Sequence, residues 1–444
     1  MIELTISKTD ADRLAEEVLG GETERCAVLF TSRVDRADGG VRFIVREIEI
    51  PDPESYDKQS AVTAELNPAF VAKISKNARI RGDSIVFVHS HFDEARPDFS
   101  QLDDLGENRL ASFLAVRTPG VPHGSVVISA GGWRGRQLGT SNPIKIVSIG
   151  ERRDVLFEPN HWGEPILPIF DRQVRAFGEA GQRVMESLTI AIVGLGGTGS
   201  VAAEQLAHLG VRRFILIDPD RVEATNLNRV VGAAKGDIDR PKVEVAARHI
   251  AAIAPEASVK CVQGDVTRTL VAKELISADF IFSCTDSHGS RAVIQQISYQ
   301  YLIPCVDVGS ILTAIDGQVT GIHGRIQAIA PGLPCFTCSG LIDAEEVRRD
   351  MMNEEERRLD PYILGAREPA PAVISINSTV TSLAVTMFMA ITLGIPSEGR
   401  YILYNASKPS LRSVTASRNP TCYICSPSGV LGRGAAQALF TRNQ

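Results

Sequence analysis

The feature that most constrains this chain is the run Gly194-Leu-Gly-Gly-Thr-Gly199, which follows the apolar stretch Thr189–Val193 and precedes a helix-like segment reaching His208. Glycines there permit a tight strand-to-helix turn and let phosphates approach the backbone N–H groups of a helix N-terminus. Further apolar runs, Arg213–Ile217, Val259–Val262, Phe280–Cys284 and Ile303–Val308, alternate with helix-like stretches. That alternation predicts an α/β, doubly wound, Rossmann-like sheet from residue 170 onward. Asp218 ends the second run, about 20 residues beyond the glycines, where a carboxylate reaches a ribose hydroxyl. To this point an NAD-dependent dehydrogenase fits equally well.

The residues that follow suit a triphosphate better than a hydride donor. Asp218-Pro-Asp-Arg-Val-Glu-Ala-Thr-Asn-Leu-Asn-Arg229, Pro241-Lys242-Val243 and Cys284-Thr-Asp286 set cations and carboxylates near the strand ends. Attack at an α-phosphorus needs cations to neutralise phosphate and a carboxylate to hold Mg²⁺. Over nearly all of 170–444 the sequence resembles the ThiF/MoeB and ubiquitin-activating family of adenylyltransferases. The resemblance implies ATP and Mg²⁺ as cofactors, with Gly194, Gly196, Gly197, Gly199, Asp218 and Asp220 binding the nucleotide. It further implies Asp218 on the ribose, Asn226, Arg229 and Lys242 around the phosphates, and Asp286 on Mg²⁺. Asp171-Arg172-Gln173 resembles the family's Arg-Gln motif, in which Arg172 would reach the ATP of the other subunit of a homodimer. Ser287 stands where the family usually has asparagine.

Cys335-Phe-Thr-Cys338 and Cys422-Tyr-Ile-Cys425 supply four thiolates, the pattern of a closed structural Zn²⁺ site, and the same family carries both pairs. Its thioester-forming members place a nucleophilic cysteine between the pairs, whereas the stretch Tyr362–Val373 has none here. A thioester would then form on another protein, such as a conjugating-type enzyme. Cys26, Cys261, Cys284 and Cys305 read as buried structural thiols.

Residues 1–150 form a separate expectation, joined through a connector, 151–169, that holds Pro159, Gly163, Pro165 and Pro168. His89-Ser-His91 ends an apolar run, and Ser100-Gln-Leu-Asp103 follows. Two histidines and a carboxylate suit a catalytic Zn²⁺ with one position left for water. The set resembles the JAB/MPN (JAMM) metalloprotease motif, which implies a JAB/MPN-like α/β domain. That family needs an upstream glutamate as general base, and Glu24-Arg-Cys-Ala-Val-Leu29 fits, with Glu22 the alternative; Ser100 would stabilise the oxyanion. Eight residues separate His91 from Ser100, one more than usual, and Asp98 competes with Asp103 as ligand.

Together the resemblances imply a two-domain enzyme of a ubiquitin-like modification pathway. The second domain activates the C-terminal carboxylate of a ubiquitin-like protein with a Gly-Gly-type tail, and the first cuts that tail to mature or release it. The alternatives are sulfur-carrier activation of the ThiF/MoeB type, and an inactive JAB-like domain that only binds the tail. Lys+Arg 47 against Asp+Glu 53 leave a charge of −6, with no whole-chain attraction to nucleic acid or anionic lipid. Met1-Ile2-Glu3-Leu4 shows neither a basic start nor an apolar run, so a cytoplasmic chain is expected. Leu383–Ile395 is apolar but ends at Gly394 and Pro396, and reads as a core helix rather than a membrane span.

Overall fold

A computed structural model describes residues 1–36, 38–92, 96–159, 165–353, 356 and 371–442. The chain divides into two compact units. The first comprises Met1–Gly163, Gln300–Leu302 and Leu431–Ala438; the second comprises Glu164–Tyr299, Ile303–Val430 and Leu439–Gln444.

In the first unit the elements are β1 (Ile2–Ser7), α1 (Lys8–Leu19), β2 (Cys26–Asp35), β3 (Val41–Glu49), β4 (Tyr56–Ser60) and β5 (Thr63–Leu66). They continue with α2 (Pro68–Arg81), β6 (Ser84–Ser90), α3 (Gln101–Arg117), β7 (Gly124–Ser129), β8 (Gly132–Gln137), β9 (Ile144–Ile149) and β10 (Arg153–Phe157). Eight strands form one mixed sheet, ordered β10-β9-β1-β3-β2-β6-β7-β8, and β4-β5 is a separate hairpin. Alternate residues of β2 serve opposite faces. Ala27 and Leu29 pack with Leu14 and Val18 of α1, while Val28 and Phe30 pack with Phe70 and Ile74 of α2 and Leu114 of α3. Burial on both faces is why this strand reads as an unbroken apolar run.

The connector expectation needs correction. Arg153–Phe157 pairs antiparallel with β9 and belongs to the sheet. Arg153 is buried, with Nη2 3.7 Å from Glu3 Oε2, a distant partner that proline spacing does not reveal.

The second unit holds α4 (Asp171–Ser187), β11 (Thr189–Val193), α5 (Gly197–His208), β12 (Arg213–Ile217), α6 (Lys242–Ile253), β13 (Ser258–Val262) and α7 (Thr269–Glu274). Then come β14 (Phe280–Ser283), α8 (His288–Gln300), β15 (Cys305–Ile315), β16 (Gln318–Ile329), α9 (Ala344–Met351), α10 (Ile374–Leu393), β17 (Tyr401–Asn405) and β18 (Ser410–Ser413). The sheet runs β13-β12-β11-β14-β15-β16-β17-β18, parallel through β15 and antiparallel thereafter. Strand order reverses between β11 and β14, the place where open α/β sheets bind ligands.

Of the described residues, α10 is the one helix long and apolar enough to cross a membrane, yet Val380, Ala384 and Phe388 on it are fully buried. Phe388 packs on Phe280 and Phe282 with ring centroids 4.8 and 5.6 Å away, so the helix is part of the sheet's core. Gly394, at φ 70°, ends it in the left-handed conformation.

Candidate functional site

Leaving β11, the backbone turns at Gly194, where φ is 87° and an added Cβ would lie 2.6 Å from Cys284 O. Gly196 caps α5 with open space where a side chain would stand. Gly197 lies against Asn377 of α10, and Gly199 lies so close to Gly194 O that no side chain fits. Asp218 fixes this turn: Oδ2 accepts from Leu195 N at 2.6 Å, and Oδ1 accepts from Asp220 N at 2.8 Å. Burial pushes its carboxyl up, against the nearby charge of Lys242. Lys242, the first residue of α6, donates to Asp220 Oδ2 at 2.7 Å and stands 4.0 Å from Asp218.

Asn226 is buried and its Oδ1 accepts from Glu223 N at 3.3 Å. Arg229 donates to Thr225 O at 2.6 Å, and its Cδ is 3.6 Å from where a Gly197 Cβ would stand, which brings it to the start of α5. Asp286 is exposed on the loop after β14, whose start is tied by Cys284 N to Val193 O at 2.8 Å. The glycine turn, Asp218, Lys242 and Arg229 thus converge beside the reversal of strand order. Arg172 is exposed in the first turn of α4, while Gln173 beside it donates to His208 O at 3.0 Å.

The four cysteines of the two pairs meet, with all sulfurs within 4.8 Å of one another. Cys335 and Cys422 stand 3.6 Å apart, as do Cys338 and Cys425. A tetrahedron with Zn–S of about 2.3 Å has edges of about 3.8 Å, so the donor set fits zinc. The amides of Cys338 and Asn419 donate to Cys335 Sγ and Cys338 Sγ at 3.5 and 3.4 Å, which favours thiolates. The bond with Cys425 and burial push the Cys335 thiol up, while the same bond draws Cys425 down to about 5. Of the other thiols, Cys26 and Cys305 are buried and Cys284 is partly so. Cys261 is exposed, contrary to expectation, because β13 is an edge strand.

In the first unit, one ligand atom each of His89, His91 and Asp103 lie within 4.8 Å of one another. His89 Nε2 is 3.2 Å from Asp103 Oδ1, and His91 Nε2 is 3.6 Å from Asp103 Oδ2. His89 Nε2 is buried and faces the Asp103 carboxylate without a well-aligned hydrogen bond, an arrangement that suits two ligands turned toward one metal. Glu24 is buried with Oε1 3.9 Å from His91 Nε2, while Glu22 is exposed. Asp98 pairs with Arg134 at 3.2 Å and is not in the cluster.

Ser100 and Asp103 also form a capping box on α3: Ser100 Oγ accepts from Asp103 N at 3.2 Å and Asp103 Oδ2 accepts from Ser100 N at 2.6 Å. Burial works to raise the Asp103 carboxyl, but His89 and Ser100 outweigh it and hold it well below the usual range. Burial and the charges of Glu24 and Asp103 push the Cys26 thiol up to about 12, so it is no nucleophile. Residues 93–95 of the charged loop, and 362–370 of the cysteine-free stretch, lie outside the described residues.

Sequence motifs missed a third group, the buried Asp307 with Arg291 and Arg325, and Asn377 against Gly197. A lone carboxylate in the apolar run Ile303–Val308 was the available signal for the first.

Residues 170–424 match the sequence model of the ThiF family. The chain belongs to the ThiF family. It is similar to the molybdopterin-synthase adenylyltransferase of Escherichia coli (strain K12), 26% identical over 258 residues that cover 58% of this chain and 95% of that protein. It is also similar to the sulfur carrier protein adenylyltransferase of Thermus thermophilus, 26% identical over 278 residues, 60% of this chain and 92% of that one. A third relative is the tRNA threonylcarbamoyladenosine dehydratase of Escherichia coli (strain K12), 34% identical over 162 residues, 36% of this chain and 60% of that one. The ThiF match begins at residue 170 and does not touch the histidine cluster of the first unit.

Proposed function

We propose that the second unit adenylates the C-terminal carboxylate of a small ubiquitin-like or sulfur-carrier protein. The observation that carries the reading is the convergence of a glycine turn, open at Gly196, with Asp218, Lys242 and Arg229 where strand order reverses. Two relatives named as adenylyltransferases support it, one of them of a sulfur carrier protein.

A carboxylate oxygen of the partner attacks the α-phosphorus of ATP. The new O–P bond forms as the bond to the β-phosphate oxygen breaks, and pyrophosphate leaves with that electron pair. Asp218 keeps lone pairs for the ribose hydroxyls while anchoring the turn, with Asp220 beside it. Asn226 braces the loop that carries Arg229. Lys242 and Arg229 neutralise phosphate, and the triphosphate competes with Asp220 for Lys242. Asp286 would hold Mg²⁺, which when bound would supply positive charge against the leaving pyrophosphate. Arg172 acts on the ATP of the other copy in a homodimer. The four cysteines hold a structural Zn²⁺.

Asp286→Ala and Arg229→Ala should abolish ATP–pyrophosphate exchange that depends on the partner protein, with folding intact. Exchange near the wild-type rate in both would overturn the reading. A thiocarboxylate on the partner tail, seen by mass spectrometry, would select sulfur transfer; a thioester on a conjugating-type enzyme would select modification. Exchange stimulated by tRNA instead would select a substrate like that named for the third relative.

For the first unit we propose a zinc-dependent JAB/MPN-type hydrolase acting on the same tail, supported by the His89–His91–Asp103 cluster with Glu24 beside it. A zinc ion held by these three residues supplies Lewis acidity toward the scissile carbonyl. Glu24, buried next to the cluster, would take a proton from the attacking water as its oxygen bonds the carbonyl carbon, and would pass it to the leaving nitrogen as the C–N bond breaks; Ser100, at the cap of α3, would donate its hydroxyl to the oxyanion. Glu24→Gln should cut cleavage of a precursor extended beyond Gly-Gly by about 10²–10⁴-fold while zinc stays bound. Absence of cleavage by the zinc-loaded wild type would select the tail-binding reading.

A further inference from the structure

A charge cluster to which the adenylation reading gives no role grips the loop that carries Asp286. Arg291, near the start of α8, is 8% exposed. Its Nη2 donates to Thr285 O at 2.7 Å, its Nη1 to Asp286 O at 3.2 Å, and its Nε to Asp307 Oδ1 at 3.0 Å. Asp307, in β15, is fully buried; it also accepts from Ser283 Oγ at 2.7 Å and pairs with Arg325 of β16. Burial works to raise its carboxyl, yet Arg291 and Arg325 hold it below the ordinary range.

Replacing a buried ion cluster by apolar side chains is often neutral or stabilising, so stability alone is a poor reason for one at the strand ends. Geometry is a better reason. A guanidinium is planar, and its N–H groups fix three acceptors relative to one another. Asp307 therefore sets the plane of Arg291, and Arg291 sets the two carbonyls on either side of the Asp286 N–H. On the far side of the loop, Ser287 Oγ and Gly289 N both donate to Asp350 Oδ2, at 2.8 and 2.9 Å.

We propose that Arg291, oriented by Asp307, is a positioning residue for adenylation: it holds the backbone of Asp286 so that this carboxylate meets the metal–nucleotide substrate in one place. The inference rests on the adenylation reading. Arg325 shares Asp307 but makes no bond to the loop, which provides the control.

The test measures binding of ATP, and of Mn²⁺ to the ATP complex by electron paramagnetic resonance, in the full chain. Asp307→Asn and Arg291→Lys should weaken Mn²⁺ in the ternary complex about tenfold and change metal-free ATP affinity by less than about twofold. Arg325→Gln should lower the melting temperature and leave both affinities unchanged. Circular dichroism checks folding, and Arg291→Lys serves if Asp307→Asn does not fold. Mn²⁺ affinities equal to wild type in Asp307→Asn and Arg291→Lys, or weakened equally in Arg325→Gln, would overturn the positioning role and leave the adenylation reading standing. A wild type that binds no ATP would overturn that reading, and the inference with it.

Discussion

At Gly199 a single methyl group would meet the carbonyl oxygen of Gly194, backbone that cannot retreat without opening the turn. Gly199→Ala should therefore destabilise the second unit by about 1–3 kcal/mol. Gly196 differs, having nothing within 4 Å of an added Cβ. Gly196→Ala should melt within about 0.5 kcal/mol of wild type, yet bind ATP about tenfold more weakly, because the methyl group fills the space a phosphate needs. Thermal melts and ATP titrations of the two variants separate fold from site. His123 gives a pH signature in the first unit. Its Nδ1 accepts from Ile85 N at 3.0 Å and its Nε2 contacts Thr118 Oγ1 at 2.8 Å. Burial, with the charge of Arg33, pulls the ring down to about 4. Below about pH 6.5 the unfolded chain takes up a proton that the folded one refuses, so stability falls as pH drops from there toward 4, by up to about 3 kcal/mol. Urea denaturation at pH 7 and pH 5 should show this loss in the wild type and a flatter profile in His123→Asn.

Among the elements, the two Cys-x-x-Cys turns and the strand-end histidines make contrasting predictions. Cys338→Ser should remove one zinc per chain and lower the melting temperature, because a structural metal contributes folding free energy directly. His89→Ala should remove the other zinc with little change in melting, since α3 keeps its cap through Ser100 and Asp103. Metal analysis reading one zinc in the wild type, lost in Cys338→Ser, would leave the histidine cluster without metal. Strands with sharp polar borders were legible in the sequence: Thr189–Val193 and Arg213–Ile217 coincide with β11 and β12. Others ran on past their apolar stretch. β15 extends to Ile315, beyond Val308, because ladder bonds to β16 continue past the Gly309–Ser310 break in the apolar run and on into residues that are largely exposed. The hairpin β4–β5 gave no periodic signal, yet Ser60 O and Gln59 Nε2 bond the backbone of Glu24. Within the sites, residue types at motif spacing were visible. The orientation of Asp307 between two arginines was not, because those partners are distant in sequence and only the sheet brings them together.

For the whole molecule, the first unit is completed by Leu431–Ala438. Ala435 N donates to Ser32 Oγ at 3.0 Å, and Gln300 Nε2 donates to Gly434 O and Gln437 O at 2.7 Å. Gly434 sits at φ 52°, and a Cβ there would lie 2.5 Å from Ser32 Cβ. Gly434→Ala should therefore speed hydrogen exchange in β2 and β3 and leave β11 and β12 as protected as before, which mass spectrometry of exchanged peptides reads directly. The ThiF match, ending at residue 424, stops short of this segment. Inheritance of the two units is constrained by the same interleaving. No single crossover in the gene exchanges either unit whole, since codons 431–438 lie beyond most of the other unit's. A recombinant that swapped residues 1–163 alone would need matching residues 300–302 and an eight-residue tail, 431–438, from the same donor.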